Sequence, residues 1–300
     1  MGHKKDKDRV ELKGFLNNND PSSKWTAKAS VFTDLFSKSE YLFQLYQALY
    51  PKDTVTKESD LELMTLESQL LNQQYNDLGF LVGNRLIILV EAQSSWSINI
   101  VIRVLLYVTQ TWYKYIKRMS LDVYDDEKIT LPAVDLYVIY TGDDPDTKPR
   151  KISLKRDFFE GQETGVDCEV KVITKSRKGS IIAQYIRFCH VFNEQVRIHG
   201  RTTKAIEETI RICQDEDVLR EYLEEEREEV MDIMTTLFDQ ETIMKNHDAA
   251  ITRKAEDKLA DLINMLLAEG KTDEIAKVTS DEVYRAKMLK KFKGKGVAIT

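Results

Sequence analysis

Residues 75–93 have the sequence Tyr-Asn-Asp-Leu-Gly-Phe-Leu-Val-Gly-Asn-Arg-Leu-Ile-Ile-Leu-Val-Glu-Ala-Gln. Two apolar arms, Leu78–Val82 and Arg85–Val90, flank the pair Gly83-Asn84, which is typical of a β-hairpin turn. The second arm is apolar without alternation, as expected of a strand that is covered on both faces. This hairpin therefore predicts a buried sheet, and the rest of the chain is expected to cover it.

Two carboxylates lie at the open end of the hairpin, Asp77 on the first arm and Glu91 after the second. Mg²⁺ prefers oxygen ligands and often takes only one or two carboxylates from a protein. The sequence therefore predicts a magnesium site whose ligands are Asp77, Glu91 and the backbone carbonyl of Ala92. Gln93, on the same strand face as Glu91, is predicted to position the attacking water or to contact a phosphate. The opposing interpretation is that Glu91 is only the exposed end of a core strand and Asp77 an edge residue.

The register of the hairpin tests this prediction, because side chains alternate strictly between the two faces of a strand. A two-residue turn at Gly83-Asn84 pairs Asp77 with Val90, which puts Asp77 and Glu91 on opposite faces. A three-residue connection that includes Arg85 pairs Asp77 with Glu91 instead. We therefore predict an odd-length connection or a β-bulge. A regular two-residue hairpin without a bulge would rule out the metal site.

The remaining segments predict an α/β core followed by a helical region. Before the hairpin, 30–50 predicts two short helices or one interrupted helix that stops at Pro51. The other predicted elements are a short strand within 61–71, a helix at 98–118, strands at 134–140 and 170–173, a helix at 181–197, and helices at 202–213, 218–238 and 255–268, with a stop at Gly270. The predicted division is a flexible segment at 1–28, an α/β domain at 29–200 and a helical region at 201–300.

Composition and charge limit the classes of function. The 300 residues are 42% hydrophobic and 31% charged, which fits a globular protein with a charged surface. The net charge of −6 means that a nucleic-acid site must be a local patch. Three widely spaced cysteines argue against a disulfide scaffold or a cysteine zinc site. A polar start and the lack of a long apolar run predict a cytoplasmic protein with no secretory signal and no membrane span.

The hairpin and three other stretches resemble a known group of proteins. Asp77, followed by Glu91-Ala92-Gln93 after an apolar strand, resembles the PD-(D/E)XK nuclease superfamily. More specifically, it resembles the Rpn-like recombination-promoting nucleases and transposase-like proteins, in which Glu-x-Gln replaces Glu-x-Lys. The supporting stretches are Tyr-Asn-Asp-Leu-Gly-Phe at 75–80, Leu-Val-Glu-Ala-Gln-Ser at 89–94, Leu-Tyr-Val-Ile-Tyr-Thr-Gly at 136–142, Phe-Asn-Glu-Gln at 192–195 and Leu-Phe-Asp-Gln at 237–240.

This resemblance implies a restriction-endonuclease-like fold with a helix–hairpin–strand–helix–strand core, and Mg²⁺-dependent hydrolysis of DNA phosphodiester bonds. It implies that Asp77 and Glu91 bind the metal, puts Gln93 at the lysine position, and maps the superfamily's helical acid onto Glu40. Glutamine has no positive charge with which to stabilise the transition state. The alternative is therefore a catalytically weak or inactive member of the same fold that binds nucleic acid or another partner.

Four further features each have two interpretations. Arg103 and Tyr107 share a helix face and either contact the substrate phosphate or form the rim of a packed helix. Glu40 either binds metal or complements a helix dipole as a solvated acid. The basic tail from Arg285 either contacts the DNA backbone or keeps the chain soluble. The apolar stripe in 218–238 either packs on the core or forms a homodimer through the C-terminal helices.

Overall fold

The computed structural model describes residues 31–64, 77–92, 96–142 and 144–293. Within these ranges the chain forms one mixed, open sheet of six strands with helices on both faces. The chain divides into two compact units, the first ending at Thr236 and the second beginning at Leu237. The predicted α/β class is confirmed.

In the described part of the chain, the strands contain three to eight residues and the α-helices four to 42. The strands are β1 (Leu61–Met64), β2 (Asp77–Val82), β3 (Arg85–Ala92), β4 (Ala133–Tyr140), β5 (Lys151–Ser153) and β6 (Glu169–Ile173). The α-helices are α1 (Val31–Ser37), α2 (Ser39–Leu49), α3 (Ile100–Arg118), α4 (Leu154–Asp157), α5 (Ile181–His199), α6 (Thr203–Asp215), α7 (Arg220–Glu225), α8 (Arg227–Ala268), α9 (Thr272–Ser280) and α10 (Glu282–Lys293).

The sheet has the strand order β1-β2-β3-β4-β6-β5. The first three strands form an antiparallel meander, β4 and β6 run parallel to β3, and β5 is an antiparallel edge strand. Helix α3 is the crossover that a parallel β3–β4 pair requires. The carboxyl ends of β3, β4 and β6 therefore lie at one end of the sheet, and their amino ends lie at the other.

Helix α3 covers one face of the sheet. Val101 and Val104 of this helix are fully buried against Ile88 of β3, Val138 of β4 and Val170 of β6, which are also fully buried. Removing one such side chain from water contributes roughly 1.5–3 kcal/mol, so this layer is a large part of what holds the core together.

Helices α1, α2 and α5 cover the opposite face. Ile87 and Ile139 are fully buried and, because side chains alternate along a strand, point away from α3. On the helical side, the rings of Phe32 and Phe36 lie 5.3 and 5.9 Å from that of Tyr185, each edge-to-face. The α/β core thus has three layers.

Most of the elements predicted from the sequence are present. The N-terminal segment forms two helices separated at Lys38, and the second ends at Leu49, before Pro51. The elements β5 and α4 were not predicted. The predicted flexible segment 1–28 and the part of the predicted strand segment from 65 to 71 lie outside the described residues.

From α6 onward the described chain contains helices and no strand, as predicted. The predicted boundary after residue 200 differs from the division after Thr236, because α6 packs on α5 and buries Ile206 and Ile210 completely. Helix α8 is continuous where a gap between 238 and 255 was expected, and Gly270, with φ +69°, follows its end. Of the helices within the described ranges, not one combines the length and the hydropathy needed to cross a bilayer.

The second unit has a small apolar core of its own, formed by Leu262, Leu266 and Val278. Helix α10 packs against this core with one side. The partly buried side chains that it contributes are Tyr284, Met288, Leu289 and Phe292.

Candidate functional site

The connection between β2 and β3 is a regular two-residue turn. Gly83 has a φ of +56°, whereas Asn84 keeps a negative φ, which is the pattern of a type II′ turn. Six consecutive pairs follow without an extra residue and end with Asp77 opposite Val90. The prediction of an odd-length connection or a bulge is therefore wrong, because the left-handed conformation of Gly83 closes the shortest hairpin.

This register decides how the two acidic positions are related along the backbone. Asp77 pairs with Val90 and not with Glu91. The backbone therefore does not fit a magnesium site that requires positions 77 and 91 opposite each other. The side chains of Asp77, Glu91 and Ala92, and the whole of Gln93, lie outside the described residues. Their individual roles stay predictions.

Both acidic positions lie at the end of the hairpin away from the turn. There β3 ends with Ala92 beside Tyr140, the last residue of the parallel strand β4. In open α/β sheets, ligands bind in the crevice outside the carboxyl ends of such strands. Among the residues that the structure describes, no three histidine, cysteine, aspartate or glutamate side chains form a group that could hold a metal ion.

The carboxyl end of β4 carries a polar cluster that the sequence did not suggest. Tyr140 donates a hydrogen bond from Oη to Asp144, and Lys148 Nζ lies 2.7 Å from the other carboxylate oxygen. The same ammonium group lies 5.2 Å from the ring centroid of Tyr140 and 5.9 Å from that of Trp96. The side chain of Lys148 is only 12% exposed, so this cation is held in one place.

The contact between Lys148 and Asp144 keeps both groups charged. The hydrogen bond from Lys148 is the main reason that the pKa of Asp144 falls below its ordinary value, and Asp144 in turn raises the pKa of Lys148. Since Tyr140 is the neighbour of Ala92, the cluster places an ion pair, one cation and one carboxylate, near the end of β3. The signal in the sequence was the four-residue spacing of Asp144 and Lys148 around Pro145.

Glu40 is exposed in the first turn of α2. Two residues close to Glu40 in the sequence contact α7 and Glu226, the residue that follows α7. Tyr41 stacks edge-to-face on Tyr222, with ring centroids 5.8 Å apart, and Lys38 pairs with Glu226 at 2.6 Å. This setting fits a solvated acid at a helix N-terminus, and the predicted metal-binding role of Glu40 stays a prediction.

Arg103 and Tyr107 lie one turn apart on α3, as predicted. Tyr107 is only 4% exposed and belongs to the core between α3 and the sheet, together with Val104 and Val108. Arg103 is half-buried. The face that they share is therefore directed toward the sheet and not toward open solvent. Their proposed contact with a substrate phosphate is untested.

A second charged cluster lies at the amino ends of the strands. Asp135 of β4 accepts a hydrogen bond of 2.6 Å from Tyr50, pairs with Arg85 of β3, and lies 3.3 Å from Lys171 of β6. Burial alone would raise the pKa of Asp135, but the bonds from Tyr50 and Arg85 outweigh it and hold the pKa below its ordinary value. This cluster joins the end of α2 to three strands and is structural.

The chain was compared with models of protein families, with curated proteins and with solved structures. No family model, no curated protein and no solved structure matches this chain. The resemblance to nucleases therefore stays a prediction from the sequence.

Proposed function

We propose that the protein is a Mg²⁺-dependent DNA endonuclease of the PD-(D/E)XK type, related to recombination or transposition. One observation carries the proposal, namely the order of the elements. Helices α1 and α2 precede three antiparallel strands, and α3 and the parallel strand β4 follow. This is the helix–hairpin–strand–helix–strand order that the resemblance implies, and Glu91-Ala92 stands at the end of its third strand.

The position of the acidic residues supports the proposal, whereas their register does not. Asp77 is the first residue of β2 and Glu91 the last but one of β3, so both lie at the carboxyl end of the parallel strands. A regular ladder separates them onto opposite faces. This register does not support one ion held by both carboxylates, so the proposal rests on the position of each acid at this end of the sheet. Lys148 would supply a positive charge for the phosphate at this edge, which Gln93 cannot do.

The second candidate is a protein of the same fold that binds nucleic acid without cleaving it. The pairing of Asp77 with Val90 favours this candidate, because it does not fit two carboxylates on one ion. The neutral Gln93 favours it as well. The two candidates differ in cleavage and share DNA binding.

A plasmid-nicking assay with Mg²⁺ distinguishes them. For the endonuclease, we expect Asp77→Asn and Glu91→Gln each to lower the nicking rate by ~10²-fold, because a metal ion contributes several kcal/mol to such a reaction. The matched control is Glu207→Gln, which neutralises an exposed acid on α6. We expect it to cleave at the wild-type rate.

The nicking rates of these variants can also contradict the proposal. Equal cleavage by wild type and both hairpin variants would refute the assigned site. DNA binding by the wild type without Mg²⁺-dependent cleavage would establish the second candidate. Binding of Mn²⁺, measured by electron paramagnetic resonance, reports on the metal site independently of activity. We expect both hairpin variants to lose this binding.

A further inference from the structure

Basic residues are concentrated at the end of an otherwise acidic chain. The net charge is −6, yet residues 282–300 contain six lysines and arginines and a single acid, Glu282. Five of these six lie in α10, between Arg285 and Lys293. Most of this positive charge therefore lies on a helix.

Three of the five basic residues of α10 lie on one side of the helix. Lys287, Lys290 and Lys291 are spaced by three and four residues, so they share a face, and all three are exposed. The other side carries the apolar residues that pack on the core of the second unit. Within the part of the chain that the structure describes, none of the three lysines forms an ion pair. We call Lys287, Lys290 and Lys291 the lysine face.

We infer that the lysine face is a docking surface for the phosphate backbone of DNA. Three cations without acidic partners on one rigid helix match a polyanion whose charges repeat closely along its axis. The contacts need no base recognition, so they give affinity and not sequence preference. The choice of DNA as the partner rests on the proposed function.

The packing of α10 favours a nucleic acid over a membrane surface. A helix that lies on a membrane buries its apolar side among the lipids. In α10 that side already packs on Leu262, Leu266 and Val278. What remains for a partner is charge, and charge alone is sufficient for binding along a phosphate backbone.

The salt dependence of DNA binding tests this inference. The variant Lys287→Gln/Lys290→Gln/Lys291→Gln of the full chain is titrated against a fluorescein-labelled DNA duplex in EDTA, between ~50 and ~200 mM salt. Each lost phosphate contact lowers the slope of log Kd against log salt by ~0.9, so we expect the slope to fall by about 2 to 3. At the lowest salt we expect roughly 10²-fold weaker binding.

Two further variants separate charge from folding. Lys287→Arg/Lys290→Arg/Lys291→Arg keeps the charge and should keep the wild-type slope. Lys52→Gln/Lys128→Gln/Lys204→Gln removes three exposed lysines from the first unit and should change the slope by less than half as much. An unchanged slope in Lys287→Gln/Lys290→Gln/Lys291→Gln would overturn the inference. So would a slope that falls equally in this variant and in the variant with three substitutions in the first unit.

The partner and the proposed function are tested separately. Binding of the wild type to vesicles of phosphatidylserine and phosphatidylcholine, with no binding to DNA, would overturn DNA as the partner. Failure of the nuclease proposal would leave the slope difference intact and remove only cleavage. Failure of the present inference would leave Mg²⁺-dependent cleavage intact with an unchanged slope.

Discussion

The two ends of the parallel strands each carry an aspartate bonded to a tyrosine and to a cation, but they differ in what they join. At the amino end, Asp135 binds Tyr50, Arg85 and Lys171, which lie 85, 50 and 36 residues away in the sequence. These partners follow α2 or belong to β3 and β6. The amino-end cluster therefore connects distant parts of the first unit.

At the carboxyl end, all contacts of Asp144 are local. Tyr140 and Lys148 each lie four residues from it, so these bonds shape the loop after β4, and Trp96 packs against the same two side chains. A loop held on a rigid sheet is where binding residues are commonly found. The comparison indicates that the amino end stabilises the fold, whereas the carboxyl end is available for function.

The largest expected effect on stability is at the amino end. We expect Asp135→Ala to lower the free energy of unfolding by ~2–3 kcal/mol, because it removes the carboxylate that accepts from the half-buried Tyr50 and leaves two cations without an acidic partner. The half-exposed positions of Arg85 and Lys171 keep the loss from being larger. Urea unfolding measures it.

The matched control is Asp146→Ala, which removes an exposed partner of Lys175. We expect it to cost at most ~0.5 kcal/mol.

Asp135→Asn adds a test of the same cluster by pH. Because the folded pKa of Asp135 lies below its ordinary value of 3.8, its stabilisation is present above ~pH 4 and is lost as the pH falls through the folded value. A stability difference between wild type and this variant that grows on acidification would contradict the account.

An intermediate effect is expected at the turn of the hairpin. Gly83→Ala should cost ~1–2 kcal/mol, since φ is +56° there and an added Cβ meets no atom within 4 Å, so the loss is conformational. Gly165→Ala also adds a methyl group in open space, but without a left-handed φ, and should change stability by less than ~0.5 kcal/mol. Equal effects in urea unfolding would mean that the turn is not the one described.

The smallest effect on stability is expected at the carboxyl end. Lys148→Met keeps most of the length of a side chain that lies over Trp96 and Tyr140, and it removes the ammonium group that bonds to the exposed Asp144 and to Thr147. We expect a smaller shift of the urea midpoint than in either variant above. A loss as large as that of Asp135→Ala would reverse the roles of the two ends.

The sequence predicts the sheet and its helices because their signals are local. The unbroken apolar run of β3 and the 3.6-residue period of α3 identify both elements. The three residues of β5 are too few to show a period. Residues 239–254, in the middle of α8, contain only three large apolar residues, Ile243, Met244 and Ile251, so a search for periodicity missed this part of the helix.

The geometry of the site was harder to predict than the fold. The turn sequence Gly83-Asn84-Arg85 permits a connection of two or of three residues, and only the backbone conformation of Gly83 decides between them. The odd length was predicted from the requirement that Asp77 and Glu91 face each other. The amino-end cluster could not be predicted, because its partners approach one another only after the sheet has formed.

The central claim is that the carboxyl end of the parallel strands is the working end and the amino end is the structural one. The most direct measurement is the plasmid-nicking rate per folded molecule, determined beside urea unfolding for Glu91→Gln and Asp135→Asn. We expect Glu91→Gln to lose nicking while its unfolding stays like that of the wild type. We expect Asp135→Asn to unfold more easily while its folded molecules nick normally. The reverse pattern, with nicking retained in Glu91→Gln and lost in folded Asp135→Asn, would contradict this claim.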